Sequence, residues 1–213
     1  MHFLSQDLDD YIVNHSEAEP QLLRELRRET HLKVIQPRMI TGHYQGRVLS
    51  MLSKLIQPGN ILEIGTYTGY SALCLAEGLP HDGQLHTVEI NEELQDIQKK
   101  YFDRSPLGPK IIPHIGDAAS VVPELDFVFD LVFIDAGKTD YDVHFENVIK
   151  KVKSGGIILS DNVLWSGKVI SPASPADKAT QALQAYNEKL MKDPRVETVI
   201  LPIRDGLTLS RVR

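Results

Sequence analysis

The sequence predicts an α/β fold: a mostly parallel sheet with helices on both faces and an antiparallel strand at or near its edge. Three observations lead there. Short apolar segments alternate with segments of helical period five times between Asn60 and the last helix. The end of the chain, VETVILPI, Asp205-Gly206 and LTLSRVR, reads as two strands joined by a tight hairpin. At 213 residues, 42% hydrophobic and 24% charged, the chain has a substantial core and is neither low-complexity nor collagen-like.

Two helices precede the alternation. In LLRELRRETH, Leu22, Leu26 and Glu29 share one helical side, with Arg24, Arg27 and Arg28 largely on the other. From Thr41 to Leu55, Val48, Leu49, Leu52 and Leu55 keep near-helical spacing until Pro58-Gly59 stops the helix. Residues 1–57 are therefore expected to form a helical cap on an α/β core of residues 58–213, all within one domain.

The core begins with a strand at Asn60–Ile64 and a helix at Ser71–Leu79. A second strand at Leu85–Ile90 leads to a helix at Glu93–Phe102. The third strand, Lys110–Ile115, contains Pro113, which belongs near a sheet edge because it cannot donate to the ladder. A short helix follows Asp117, and Asp130–Asp135 is the fourth strand. A helix at Tyr141–Val152, a turn at Gly155-Gly156, a fifth strand ending at Asp161 and a helix at Ala176–Met191 complete the alternation. The stretch from Trp165 to Pro175 has no clear period; it is either a surface loop or the border of a site.

Lys and Arg number 23 against 29 Asp and Glu, a net charge of -6, which excludes a uniformly basic nucleic-acid binder. The charge is unevenly spread: residues 21–54 carry +5 and the other 179 residues -11. The single cysteine, Cys74, excludes an intramolecular disulfide and a paired-cysteine metal site. The start of the chain lacks a signal-peptide pattern and no long apolar run is suited to a membrane, so a cytoplasmic location is expected.

Ligands of such sheets sit beyond the carboxyl ends of the strands, and candidate residues gather there. In ILEIGTYTGYSA, Gly65 and Gly69 fall between strand and helix, either to admit a ligand or to make a tight turn. The spacing lacks the three-glycine pattern of a dinucleotide site, which disfavours a nicotinamide dehydrogenase. Glu63 before the glycine would repel a pyrophosphate and suit a cationic ligand. Glu89 closes the second strand where a ribose diol would be held. Asp117, before Ala118, is placed to cap a helix or to accept a base amine.

Asp135 ends the fourth strand, and Asp161-Asn162 end the fifth. Two carboxylates and an amide oxygen make an all-oxygen set suited to Mg²⁺ or Ca²⁺; the alternative is two unrelated helix caps. A non-enzymatic interaction protein would leave this convergence without purpose. Lys138 is the nearby group to take or stabilise a hydroxyl proton, or else a helix-surface lysine.

In order along the chain, ILEIGTYTGYSA, LHTVEIN, GDA, FIDAGKTDY, SDNVLWSGKV and LPIRDGL resemble the cation-dependent, S-adenosylmethionine-dependent O-methyltransferases. That family includes the caffeoyl-CoA, catechol and bacterial small O-methyltransferases, and the resemblance runs from about Gln36 to Arg213. It implies the class I methyltransferase (Rossmann-like) fold with a seven-stranded sheet, and a homodimer. It implies S-adenosylmethionine contacts at Met39, Glu63, Gly65, Tyr70, Ser71, Glu89, Asp117, Ala118 and Asp135. It further implies a divalent cation (Mg²⁺, with Mn²⁺ or Ca²⁺ as alternatives) on Asp135, Asp161 and Asn162, and Lys138 as catalytic base. Tyr141 and Trp165 would border the acceptor. One departure stands out: this chain reads Asp135-Ala136-Gly137-Lys138 where many members read Asp-Ala-Asp-Lys. A catechol-like small molecule is the expected acceptor. The alternative is 5-hydroxyuridine at the tRNA wobble position, with the basic window of residues 21–54 on phosphates.

Overall fold

The computed structural model describes residues 5–213. One seven-stranded sheet has the order β3-β2-β1-β4-β5-β7-β6. Its strands are β1 (Asn60–Ile64), β2 (Gln84–Glu89), β3 (Ile111–Ile115), β4 (Phe129–Ile134), β5 (Val152–Asp161), β6 (Val196–Leu201) and β7 (Leu207–Val212). The first five strands run parallel, and β7 lies antiparallel between β5 and β6. Pro113 does sit in an edge strand, where only one side needs ladder donors.

The helices are α1 (Gln6–Asn14), α2 (Gln21–Lys33), α3 (His43–Ile56), α4 (Tyr70–Ala76), α5 (Gln95–Asp103), α6 (Ala118–Glu124), α7 (Tyr141–Val148) and α8 (Lys178–Lys192). Period-2 alternation divides the central strands between two cores. On β1 and β4, Leu62, Ile64, Val132 and Ile134 join the core that holds Tyr141, Phe145, Leu183 and Tyr186 of α7 and α8. Ile61, Leu131 and Phe133 join the other, with Leu26, Leu49, Leu73 and Phe102 from the helices of the opposite face. Both faces are covered, so these strands read as nearly unbroken apolar runs.

Several sequence expectations are corrected. Gly155-Gly156 is no turn: it lies inside the ten-residue β5, where the register with β4 jumps from Phe129↔Val152 to Leu131↔Ile157. Gly155 takes φ +81° there, so the glycines permit a strand irregularity. The buried stripe of α2 is Leu23, Leu26 and Thr30 instead of Leu22, Leu26 and Glu29. Glu29 turns outward to Lys33 and Lys100. Helix α7 stops at Val148, four residues before the expected end, because Val152 already starts β5. The hairpin connection is longer than a two-residue turn, with Pro202–Gly206 between β6 and β7. Helix α1 buries none of its residues.

Candidate active site

A cavity of about 1420 Å³ opens beyond the carboxyl ends of the parallel strands. Gly65 after β1, Glu89 on β2, Asp117 after β3, Asp135 after β4 and Asp161 on β5 all reach its wall. Ala118, Lys138, Asn162 and Trp165 line it too, and Met39 approaches from the segment between α2 and α3. Topology alone collects them, since parallel strands end on the same side.

Gly65 shows why the first turn needs glycine. Its φ is +98°, and an added Cβ would lie 1.9 Å from the Asp135 carbonyl oxygen. The turns after β1 and β4 therefore touch backbone to backbone, and the Asp135 N–H donates to the Ile64 carbonyl at 2.8 Å. Glu89 is fixed in place: its two carboxylate oxygens accept from the Tyr67 N–H at 2.6 Å and the Asn91 N–H at 2.9 Å. Asp117 caps α6, accepting from the Ala119 N–H at 2.9 Å, and also lines the cavity.

Glu63, Tyr70 and Ser71 lie behind the wall rather than on it. Glu63 shares the sheet face of Ile61, between Thr87 and Phe133 in the strand register, and is 0% exposed. Thr87 Oγ1 donates to its Oε2 at 2.5 Å, while Oε1 has no hydrogen-bond partner. Burial pushes the Glu63 carboxyl up to about 8, against the opposing hydroxyls of Ser71 and Thr87 and with the charges of Asp135 and Glu89 adding to the rise. The Tyr70 hydroxyl turns away from the cavity and donates to Glu19 at 2.7 Å, a carboxylate that also accepts from Nε and Nη2 of a bidentate Arg27.

At the other end, Lys138 Nζ donates to Asp135 Oδ1 at 3.1 Å and to the Tyr141 hydroxyl at 2.7 Å. Tyr141 is fully buried and off the cavity wall, and its hydroxyl donates to the Asp161 carbonyl at 2.7 Å. The ring belongs to the core against Tyr186, so it supports Lys138 from beneath. Asp161 is 2% exposed and accepts from the Asn162 N–H at 2.8 Å. Burial, and then the nearby Asp135 charge, push its carboxyl up to about 7, with Lys138, Gln45 and Asn162 opposing. Two carboxylates crowded at a buried strand end, with an amide beside them, form a hard oxygen donor set whose mutual repulsion a divalent cation would relieve. Among the described residues, no cluster of three or more His, Cys, Asp or Glu side chains is placed to hold a metal ion.

The loop after β5 is shaped by a remote turn. Asn162, Trp165 and Ser166 all take positive φ, at 59°, 46° and 54°, which is costly for side-chain-bearing residues. The β6–β7 connection holds them there: Asp205 accepts from the Leu164 N–H at 2.9 Å and the Ser166 N–H at 2.5 Å. Sequence reasoning missed Asp205, Arg204 and His144 as residues of the cavity wall. LPIRDGL contributed only as part of the resemblance, and nothing local marks a hairpin turn or a mid-helix histidine as part of a site.

The basic window loses much of its charge within the fold. Arg27 pairs with Glu19, Lys33 with Glu29, and Arg47 and Lys54 with Glu77. Four of its seven cations are thus engaged in ion pairs inside the chain.

Comparison with known proteins agrees with this architecture. The family described as O-methyltransferase matches residues 13–213. Caffeoyl-CoA O-methyltransferase of Petroselinum crispum is 38% identical over 97% of this chain and 91% of its own length. The caffeoyl-CoA O-methyltransferase 1 of Arabidopsis thaliana is 35% identical over 97% of this chain and 85% of its own length. Among solved structures, the O-methyltransferase of Bacillus cereus in complex with SAH superposes with a TM-score of 0.89 at 29% identity, covering 97% of both chains. The Streptomyces achromogenes O-methyltransferase TomG, in complex with SAM, gives 0.89 at 30% identity over 97% of this chain and 96% of its own. With a family match across nearly the whole sequence and a fold that superposes on solved members, this chain belongs to the O-methyltransferase family.

Proposed function

We propose that the protein transfers a methyl group from S-adenosylmethionine to one hydroxyl of a catechol-like small molecule, assisted by a divalent cation. The observation that carries this reading is that Asp135, Asp161, Asn162 and Lys138 line the same cavity as Gly65, Glu89 and Asp117. A donor half and an acceptor half share one space.

When bound, the donor supplies a methyl on a positive sulfur, and the cation lowers the pKa of the acceptor hydroxyl. Asp135, Asp161 and Asn162 would hold the cation. Glu89, already ordered by two backbone donors, would accept from a ribose diol, and Asp117 and Ala118 would face the base. Lys138 sits on the wall with its Nζ held by Asp135 and Tyr141; having first given up its own proton to solvent, the neutral amine would take the proton that the acceptor oxygen releases. Trp165 packs against the core beside the cavity and would shield the acceptor from water. The residues thus align donor and acceptor and manage one proton; the thioether product departs neutral.

The test is methylation of a catechol panel and of undermethylated tRNA by the purified protein, with Mg²⁺ or Mn²⁺ and after chelation. Turnover on a catechol that disappears with EDTA, and is abolished in Asp161→Ala with the fold intact by circular dichroism, supports the reading. Undiminished turnover after chelation refutes the cation role. Methylation of tRNA alone refutes the catechol assignment.

A further inference from the structure

His144, on α7, is 5% exposed, and what it exposes lines the cavity. Neither ring nitrogen bonds to another described residue, and Nδ1 is buried, so the ring meets the cavity through its Nε2 edge. Packing alone does not account for it, because an imidazole buried with both nitrogens unmet costs free energy that an apolar side chain would not. A buried N–H without an acceptor is the rarer orphan, which puts the proton on Nε2 and leaves Nδ1 as the unprotonated nitrogen. Burial, opposed by the charges of Asp140 and Asp117, holds the imidazole below its ordinary pKa and so neutral at pH 7. His144 therefore presents one N–H donor to the cavity.

The packing of α7 decides what stands next to that donor. On the same helical face, three residues on, Asn147 Nδ2 donates to the Ala119 carbonyl at 3.4 Å in the first turn of α6. Asp117, the N-cap of α6, is thereby brought to the same part of the wall. Its Oδ1 accepts from the Ala119 N–H, and Oδ2 accepts from no described residue. A free acceptor and a free donor side by side match the amine and adjoining ring nitrogen of an adenine base. We propose that His144 is a base-recognition residue: its Nε2–H donates to the ring nitrogen beside the exocyclic amine of the cofactor's adenine, while Asp117 accepts from that amine. The inference rests on the reading of Asp117 and Ala118 as the residues that face the base.

The experiment is calorimetric binding of S-adenosylhomocysteine and three analogues: the 1-deaza and 7-deaza forms, each lacking one ring nitrogen beside the amine, and a form lacking the amine. The proteins are the wild type, His144→Leu, His144→Gln and Asp117→Ser, in which serine keeps the helix cap. One of the two deaza forms should bind the wild type about 10-fold more weakly than the parent compound. That penalty should vanish in His144→Leu, whose affinity for the parent falls by a similar factor, and return in part in His144→Gln, which keeps an N–H donor. A variant that only disturbs packing weakens all four ligands alike and leaves the penalty in place. If both deaza forms bind the wild type as tightly as the parent, or the penalty survives in His144→Leu, the assignment of His144 is overturned. The base end still stands in that case if removing the amine weakens binding to the wild type but not to Asp117→Ser. If neither the amine nor a ring nitrogen is coupled to these residues, the base-end reading falls as well. Should His144→Leu fail to fold, the deaza forms on the wild type and on His144→Gln decide, equal affinity for all three ligands overturning the proposal.

Discussion

Replacing Glu63 by glutamine keeps its shape and removes a charge that the fold resists. In the folded chain, burial pushes this carboxyl up to about 8, from an ordinary value of 4.5. Between those two values the folded protein keeps a proton that the unfolded chain has released. The stabilisation is therefore complete below pH 4.5 and is lost as pH rises through 8. At about 1.4 kcal/mol per pKa unit, that separation amounts to roughly 5 kcal/mol in all, most of which falls between pH 5 and pH 8. Urea unfolding of the ligand-free protein at those two pH values, followed by circular dichroism, reads the loss. The wild type should lose roughly 3–4 kcal/mol more than Glu63→Gln, because titrations common to both proteins and not coupled to Glu63 cancel in the difference. A difference below about 1 kcal/mol would refute the claim that burial holds Glu63 neutral. A companion measurement is calorimetric. If the donor's positive charge ionises Glu63, binding near pH 7 releases close to one proton in the wild type and none in Glu63→Gln.

Other perturbations probe separate parts of the site. Lys138→Met should lower kcat by about 10²–10⁴-fold with S-adenosylmethionine affinity unchanged; an unchanged rate would remove Lys138 from proton transfer. Gly65→Ala forces a Cβ to 1.9 Å from the Asp135 carbonyl oxygen at φ +98°, and should destabilise by well over about 1 kcal/mol in thermal unfolding. Between β2 and the edge strand β3, His86 Nδ1 lies 3.0 Å from His114 Nε2, and burial, with the His114 charge, brings His86 down to about 4. Its unfolded form gains a proton first, so stability should fall as pH drops from about 6.5 toward 4, by up to about 3 kcal/mol. His86→Leu should flatten that acid limb in urea titrations, and an equally steep limb would show that other groups cause it.

Much of the architecture was legible because it depends on local chemistry. Apolar runs at 60–64, 85–89 and 130–134 mark strands that are covered on both faces, and Pro113 marks an edge. The order of motifs also brought the strand-end acids of β1 to β5 to one side, since every parallel strand points the same way. Gly155-Gly156 misled, because glycine permits a strand irregularity as readily as a turn. Local sequence could not place Tyr141 beneath Lys138 or turn the Tyr70 hydroxyl to Glu19, since side-chain direction follows from what a helix packs against.

The sequence by itself determined the strand and helix periods, the family resemblance and the set of oxygen donors at the strand ends. Only the tertiary structure decided which of them share a cavity, and at what ionisation. Burial raises Glu63 and Asp161, and burial is a property of the packed sheet. The basic window shows the same division. Its +5 is fixed by composition, but Glu19 and Glu77, outside that window, take Arg27, Arg47 and Lys54 into ion pairs. Charge is written in the chain, whereas the partners that neutralise it are chosen by folding.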